Sequence, residues 1–232
     1  MELKGEVAVV TGGGRGIGRA IALRLAAAGA RVALGARTEA QVGAVAAEIE
    51  RAGGVALPLP LDVTVADSVT RFAAAVRARL GEPLALVNNA GTVRRGRLDE
   101  APEGAWDEVV AGNLTGTYRV TRAFLGAMRA RRRGRIVNVA SIAGREGTAQ
   151  LTAYCAAKHG VVGLTRALAE EVKGDGLQVN AVCPGSVDTA MLRQGLPGAQ
   201  PDMSPDDVAG VVLFLLTAAP PALTGACLDV FG

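Results

Sequence analysis

Histidine and aromatic side chains are scarce in this 232-residue chain: His159 stands alone, and Phe, Trp and Tyr together make up 3%. One histidine cannot build a multi-histidine metal site, and so few rings cannot form a broad stacking platform for single-stranded nucleic acid. Cysteine is also rare. Cys155, Cys183 and Cys227 are odd in number and widely spaced, which argues against a disulfide framework and fits a reducing, cytoplasmic setting. The longest apolar run, 208–219, reaches about half of the ~20 residues that a membrane span needs. The opening Met-Glu-Leu-Lys-Gly has no apolar signal core. A formal charge of +3 is too small to demand a polyanionic partner. What is present is globular: half the residues are hydrophobic, a fifth are charged, and the length can bury one sizeable core. The expectation is a soluble, single-domain protein with no bound metal, no nucleic acid and no membrane.

Short runs rich in Val and Ile alternate with longer Ala-rich stretches of helical character. Strands are predicted at 7–11, 31–36, 55–59, 84–88, 135–140, 177–183 and 227–230. Several are apolar at consecutive positions, as expected for strands covered on both faces. Helix starts carry signals. Thr38-Glu-Ala-Gln41 reads as a capping box, and Ser204-Pro205-Asp206-Asp207 offers a capping serine, an early proline and carboxylates at the positive end of the dipole. This strand–helix repetition predicts right-handed crossovers and an α/β, doubly wound Rossmann-type domain over residues 1–232, with a parallel sheet and helices on both faces.

The first strand runs into Thr11-Gly12-Gly13-Gly14-Arg15-Gly16-Ile17-Gly18 and then directly into a helix. Glycine there lets a pyrophosphate approach backbone N–H groups and the helix N-terminus, which a side chain would obstruct. The strict G-x-G-x-x-G spacing fails at Ile17, and Walker A fails because Arg19-Ala20 replaces Lys-Ser/Thr. A longer turn of the same physical kind remains. A turn that merely packs strand on helix would not need four glycines beyond a tight bend, so the expectation is a dinucleotide site. The second strand ends at Arg37 with no carboxylate before Glu39. An acidic residue at that point would bind a ribose 2′-hydroxyl, whereas Arg37 and Arg15 suit a 2′-phosphate, so NADP(H) is expected over NAD(H).

Ligands of an open α/β sheet cross the carboxyl ends of its strands. That edge carries Asp62-Val63, Asn88-Asn89-Ala90-Gly91, Ser141 and Pro184-Gly185 in turn. Further along, Tyr154 and Lys158 are four residues apart and share a helical face, although the chain holds only two tyrosines and three lysines. A phenol has a pKa near ~10, so about one in a thousand is ionised at neutral pH. A neighbouring ammonium, and further a cationic nicotinamide in the oxidised cofactor, are expected to lower it by ~2–3 units, into acid/base range.

Thr11-Gly-x-x-x-Gly16-Ile-Gly18, Asn88-Asn-Ala-Gly91, Ser141, Tyr154-x-x-x-Lys158 and Pro184-Gly185 together resemble the short-chain dehydrogenase/reductase family, end to end, and most closely its 3-oxoacyl-[acyl-carrier-protein] reductase type. The resemblance implies seven strands in the order 3-2-1-4-5-6-7 and a catalytic set of Asn113, Ser141, Tyr154 and Lys158. It implies that Tyr154 exchanges a proton with the carbonyl oxygen and that Ser141 orients and polarises the carbonyl. Lys158 would bond the nicotinamide ribose and Asn113 would hold a water. For the cofactor it implies Gly12, Arg15, Gly16, Ile17, Gly18 and Arg37 around the phosphates, and Asp62 and Val63 by the adenine. Asn88, Ala90 and Gly91 would follow along the ribose, with Pro184, Gly185, Val187 and Thr189 toward the carboxamide. The implied substrate is a small carbonyl compound or secondary alcohol, free or carried by an acyl carrier protein. Similar members form dimers or tetramers, so a homo-oligomer is expected.

Two departures stand out. Only residues 186–203 separate Gly185 from Ser204, which is short for a substrate-covering segment, and helix propensity is poor over 194–198. A small or loose lid is therefore expected, and a dinucleotide-binding sensor without catalysis is the alternative class. The C-terminal 228–232 is a degenerate version of the family's usual ending. The basic run 129–135 reads as a charged helix end stopped by Gly134 rather than a nucleic-acid patch. On the resemblance, it offers at most a surface for an acidic carrier protein. No G-x-S-x-G elbow accompanies His159, which makes hydrolysis a poor second.

Overall fold

Runs of consecutive apolar residues become strands here because helices cover both of their faces. The computed structural model describes every residue from Met1 to Gly232. Its strands are β1 (Val7–Thr11), β2 (Arg31–Ala36), β3 (Val55–Pro60), β4 (Ala85–Asn88), β5 (Gly134–Val139), β6 (Leu177–Pro184) and β7 (Cys227–Val230). They form one parallel sheet in the order β3-β2-β1-β4-β5-β6-β7, as expected, with Val9 level with Ala33 on one side and Leu86 on the other. The helices are α1 (Gly16–Ala27), α2 (Glu39–Arg51), α3 (Ala66–Leu80), α4 (Ala105–Val110), α5 (Gly116–Arg131), α6 (Thr152–Glu171), α7 (Ala190–Gly195) and α8 (Pro205–Thr217).

Alternation along β1 divides the core. Ala8 and Val10 join Ile21, Val45 and Val212 from α1, α2 and α8. Val7 and Val9 join Phe72, Phe124 and Ala169 from α3, α5 and α6. Phe72 and Phe124 meet edge to face, with centroids 6.4 Å apart.

The α8 start behaves as its sequence suggests: the Ser204 Oγ accepts from the Asp207 amide while the Asp207 carboxylate accepts from the Ser204 amide. The box expected at Thr38 does not form. The Thr38 side chain makes no cap bond, and Gln41 lies against the glycine turn instead of reaching back. The helix stop is also displaced. Arg132, at φ 49°, takes the left-handed position after α5, while Gly134 opens β5, where a Cβ would press on the Met128 side chain. Arginines 129 and 133 pair with Asp175 and Glu6, and Arg131 and Arg132 donate to the Glu82 and Gly174 carbonyls. Arg135 donates to the Leu215 and Ala219 carbonyls. The run thus ties a helix end to its neighbours, as an ordinary charged terminus does.

Between α4 and α5 the chain makes one π-helical turn, Ala111–Thr115. Beneath α5 and α6 lies a buried polar chain. The Asn88 Nδ2 donates to Thr121 Oγ1 (2.8 Å) and to Asn138 Oδ1 (2.9 Å), and Asn138 Nδ2 donates to Thr165 Oγ1 (2.9 Å). It links β4 and β5 to both helices just below the strand ends. Asn138→Ala strands one Asn88 N–H in the core, at a cost of about 2 kcal/mol. The expected result in thermal unfolding is a Tm lower by about 4–8 °C; an unchanged Tm would show that the linkage contributes nothing.

Candidate active site

Because all seven strands run the same way, their carboxyl ends fall on one edge, and a cleft of about 530 Å³ lies along it. Gly12, Arg15, Gly16, Ile17, Arg37, Asp62, Val63, Ala90, Gly91, Pro184, Gly185, Val187 and Thr189 line it, together with Ser141, Tyr154 and Lys158. Three residues expected there lie behind the wall instead: Gly18, Asn88 and Asn113.

Gly18 is buried in the first turn of α1, where a Cβ would lie 2.1 Å from the Gly12 oxygen, so its service is close packing. Asn88 points into the core chain described above. Its neighbour Asn89 faces the cleft and holds the glycine turn, its Nδ2 donating to the carbonyls of Thr11 (3.0 Å) and Gly12 (3.1 Å). The Thr11 hydroxyl accepts from the amides of Asn89 and Ala90, both at 3.0 Å. Consecutive residues leaving a strand face opposite ways, and that alternation was the available signal for choosing Asn89 over Asn88.

Asn113 sits in the π-turn, 1% exposed. Its Nδ2 donates to the Thr92 carbonyl (2.7 Å) and the Val109 carbonyl (2.8 Å), while its buried Oδ1 has no partner. That oxygen lies 2.5 Å from where a Cβ on Gly91 would stand, and the Lys158 Nζ lies 3.9 Å from the same point. A free acceptor therefore faces the neighbourhood of the buried amine, one layer below the cleft.

Ser141 leaves β5 and caps the short turn that follows, its Oγ accepting from the Ala143 amide at 3.2 Å. From α6, Lys158 is 4% exposed and donates to the Val139 carbonyl at 2.8 Å. Its Nζ lies 5.6 Å from the centre of the Tyr154 ring. Burial pushes Lys158 down to about 8. Burial likewise pushes the Tyr154 phenol up to about 12, against the opposing pull of the Ser141 hydroxyl. The acidic phenol expected from the i,i+4 spacing is thus not what the protein alone produces. Desolvation dominates, and the ammonium points to a backbone carbonyl instead of the phenol oxygen.

At the opposite end, burial opposes ionisation of Asp62, but hydrogen bonds from Thr64 and the charge of Arg37 outweigh it and hold the carboxyl below its usual range. Arg15 and Arg37 are exposed on the cleft and make no ion pair. Free guanidiniums beside the glycine turn suit the phosphates of a dinucleotide laid along the edge.

The expected lid is small, but it is not loose. Thr189 caps α7 by accepting from the Leu192 amide, and its base is cinched where Val187 bridges to Met203. Its tip is fastened across the cleft. The Gln194 Nε2 donates to the Val93 carbonyl and the Arg95 Nη1 to the Gly195 carbonyl, both at 3.2 Å. Sequence reasoning passed over Arg95 and Gln194, for nothing local marks contacts with partners about a hundred positions away.

Comparison with known proteins agrees with this geometry. The family model for short chain dehydrogenases matches residues 6–198. The 3-oxoacyl-[acyl-carrier-protein] reductase of Pseudomonas aeruginosa is 42% identical, with 100% of this chain and 98% of the relative covered. The 2-(S)-hydroxypropyl-CoM dehydrogenase 3 of Xanthobacter autotrophicus is 39% identical, with 99% and 96% covered. A variant actinorhodin polyketide ketoreductase solved with NADPH superposes with a TM-score of 0.92 at 38% identity, covering 98% of this chain and 96% of that one. With its sheet order, its edge cleft and this match over most of its length, the chain belongs to the short-chain dehydrogenase/reductase family, in company with its 3-oxoacyl-[acyl-carrier-protein] reductases.

Proposed function

We propose that this protein reduces a ketone or 3-oxoacyl thioester with NADPH, with Tyr154 as the proton donor. The observation that carries the reading is the meeting of Ser141, Tyr154 and Lys158 at one end of the edge cleft, under an ordered lid. When bound, the nicotinamide supplies the hydride that reaches the carbonyl carbon. The Ser141 hydroxyl holds and polarises the carbonyl oxygen. Tyr154, its phenol kept protonated by burial, gives its proton to that oxygen as the alcohol forms. Lys158 lies behind the phenol on the same helix and restores that proton, with the Asn113 Oδ1 as the acceptor that orders a water on the supply side. Arg15, Arg37 and Asp62 line the far end of the cleft; there the two arginines would hold the 2′-phosphate and Asp62 would stand by the adenine. Two printed names support the class of chemistry: a 3-oxoacyl-[acyl-carrier-protein] reductase among the relatives and a polyketide ketoreductase with NADPH among the structures.

Loss of nicotinamide absorbance with a panel of ketones and 3-oxoacyl thioesters tests the reading. Tyr154→Phe is expected to lower kcat/KM by about 10²–10⁴-fold while NADPH binding, followed by fluorescence, persists. Undiminished turnover would remove Tyr154 from its role, and wild-type protein that binds NADPH but turns over none of the panel would favour the sensor.

Replacing Arg15 and Arg37 together by alanine is expected to raise KM for NADPH by at least about tenfold and leave KM for NADH nearly unchanged, since each supplies charge-assisted bonds only to the extra phosphate. Equal kcat/KM for the two cofactors in the wild type would contradict the arginine clamp.

The pH dependence follows from Lys158. With its pKa lowered to about 8, the ammonium predominates below that pH and is lost above it, while Tyr154 stays protonated throughout. The rate of reduction is therefore expected to hold level below about pH 8 and to fall above it. A rate that climbs through that region would contradict the assigned proton supply.

A further inference from the structure

We propose that Met191, held over the Tyr154 hydroxyl by a lid latched through Arg95 and Gln194, determines which ketones this site accepts. The inference rests on the reductase reading and concerns the group that occupies the substrate's place beside the proton donor.

The Tyr154 hydroxyl points at the Met191 Sδ, 4.0 Å away. A thioether is a weak acceptor, so the phenol hydrogen is poorly satisfied there, and a carbonyl oxygen arriving in the same direction makes a stronger bond. Methionine suits this position because it is unbranched and polarisable. It fills the space over the phenol and can swing aside without moving the backbone that carries it.

The rest of the lid limits how far it swings. Met191 packs with Leu196 against a small apolar cluster of Val93, Leu151 and Tyr154. Gly195 is buried with its Cβ position 3.2 Å from Val93, so the end of α7 sits directly on the segment after β4. The bonds from Gln194 to the Val93 carbonyl and from Arg95 to the Gly195 carbonyl hold it there. That segment is held in turn from the other side, by the Gly96 amide on the Gln150 carbonyl just ahead of α6. The result is a closed belt around the substrate end, with α7 on one side and the start of α6 on the other. The belt keeps the lid backbone near the phenol, and the methionine side chain is the part with freedom to yield.

A carbonyl flanked on the lid side by a methyl or methylene displaces the thioether alone. One flanked by a quaternary carbon must push the lid itself against its two latches. The site therefore favours ketones with a slender flank and disfavours those branched next to the carbonyl.

Two measurements test this. The first compares kcat/KM for a 3-oxo ester with a methyl flank and one with a tert-butyl flank, in wild type, Met191→Ala and Met191→Leu. Met191→Ala is expected to raise the tert-butyl to methyl ratio by at least about tenfold, and Met191→Leu, close in volume but branched and less able to swing aside, not to raise it. An unchanged ratio in Met191→Ala, with the methyl ester still reduced, would overturn the inference while leaving the reductase reading intact. The second needs no turnover: hydrogen exchange of the α7 amides in wild type and Arg95→Ala. Exchange at least about tenfold faster in the variant is expected, and equal exchange would show that the lid is not latched and overturn that part of the proposal. Failure of every ketone to react, with normal α7 exchange, would strike the reductase reading and with it the role given to Met191.

Discussion

One buried hydrogen bond, from the Lys158 ammonium to the Val139 carbonyl, organises this site. A lysine this far from water is costly unless its N–H groups are satisfied, and the end of a parallel strand provides a carbonyl that no further strand residue needs. Together with the buried Ala157, Val161, Thr165 and Ala169, the fixed amine sets the rotation of α6 about its own axis. The rotation in turn places Tyr154, one turn earlier, at the cleft. The glycine turn is fixed separately, by the reciprocal bonds of Thr11 and Asn89. The cofactor end and the chemical end are thus each pinned to strand ends of one rigid sheet, and their separation is set by strand spacing rather than by loops.

Burial sets the protonation states more strongly than mutual attraction does. Desolvation moves Tyr154 up and Lys158 down, the reverse of a phenol made acidic by its neighbour. Giving up a proton from this phenol and taking one back both pass through the same buried phenolate, so the upward shift by itself favours neither direction of a proton transfer.

Much of this was legible in the chain. Strand positions 7–11, 31–36 and 227–230 coincide with β1, β2 and β7, and the sheet order matches, because runs covered on both faces leave a plain apolar signature. The glycine turn, Ser141 and the Tyr154–Lys158 pair, singled out by residue type and spacing, do line one cleft. What stayed hidden depends on contacts that are distant in sequence or on a choice between neighbours. Asn88 and Asn89 differ only in which side of a strand end they leave. Gln41 was expected to cap its own helix but packs on the glycine turn, since a tertiary contact outweighs a local one. Gly134 looked like the helix stop, yet Arg132 accepts the left-handed position and leaves the glycine to fit beneath Met128.

The π-turn at Ala111–Thr115 has a consequence for how this helical stretch tolerates change. From Val109, which packs at the substrate end, to Met128, which packs under the sheet, is about five and a quarter turns of regular α-helix. One residue taken up by the wider turn brings that close to five whole turns, so both side chains look inward. Deleting a single residue from 111–115 leaves five whole turns of regular α-helix between the two side chains, so both still look inward. Adding one residue rotates Val120, Phe124 and Met128 together by roughly 100° away from the sheet. The segment acts as a phase adjuster: it takes up the one residue by which the two faces would otherwise fall out of step.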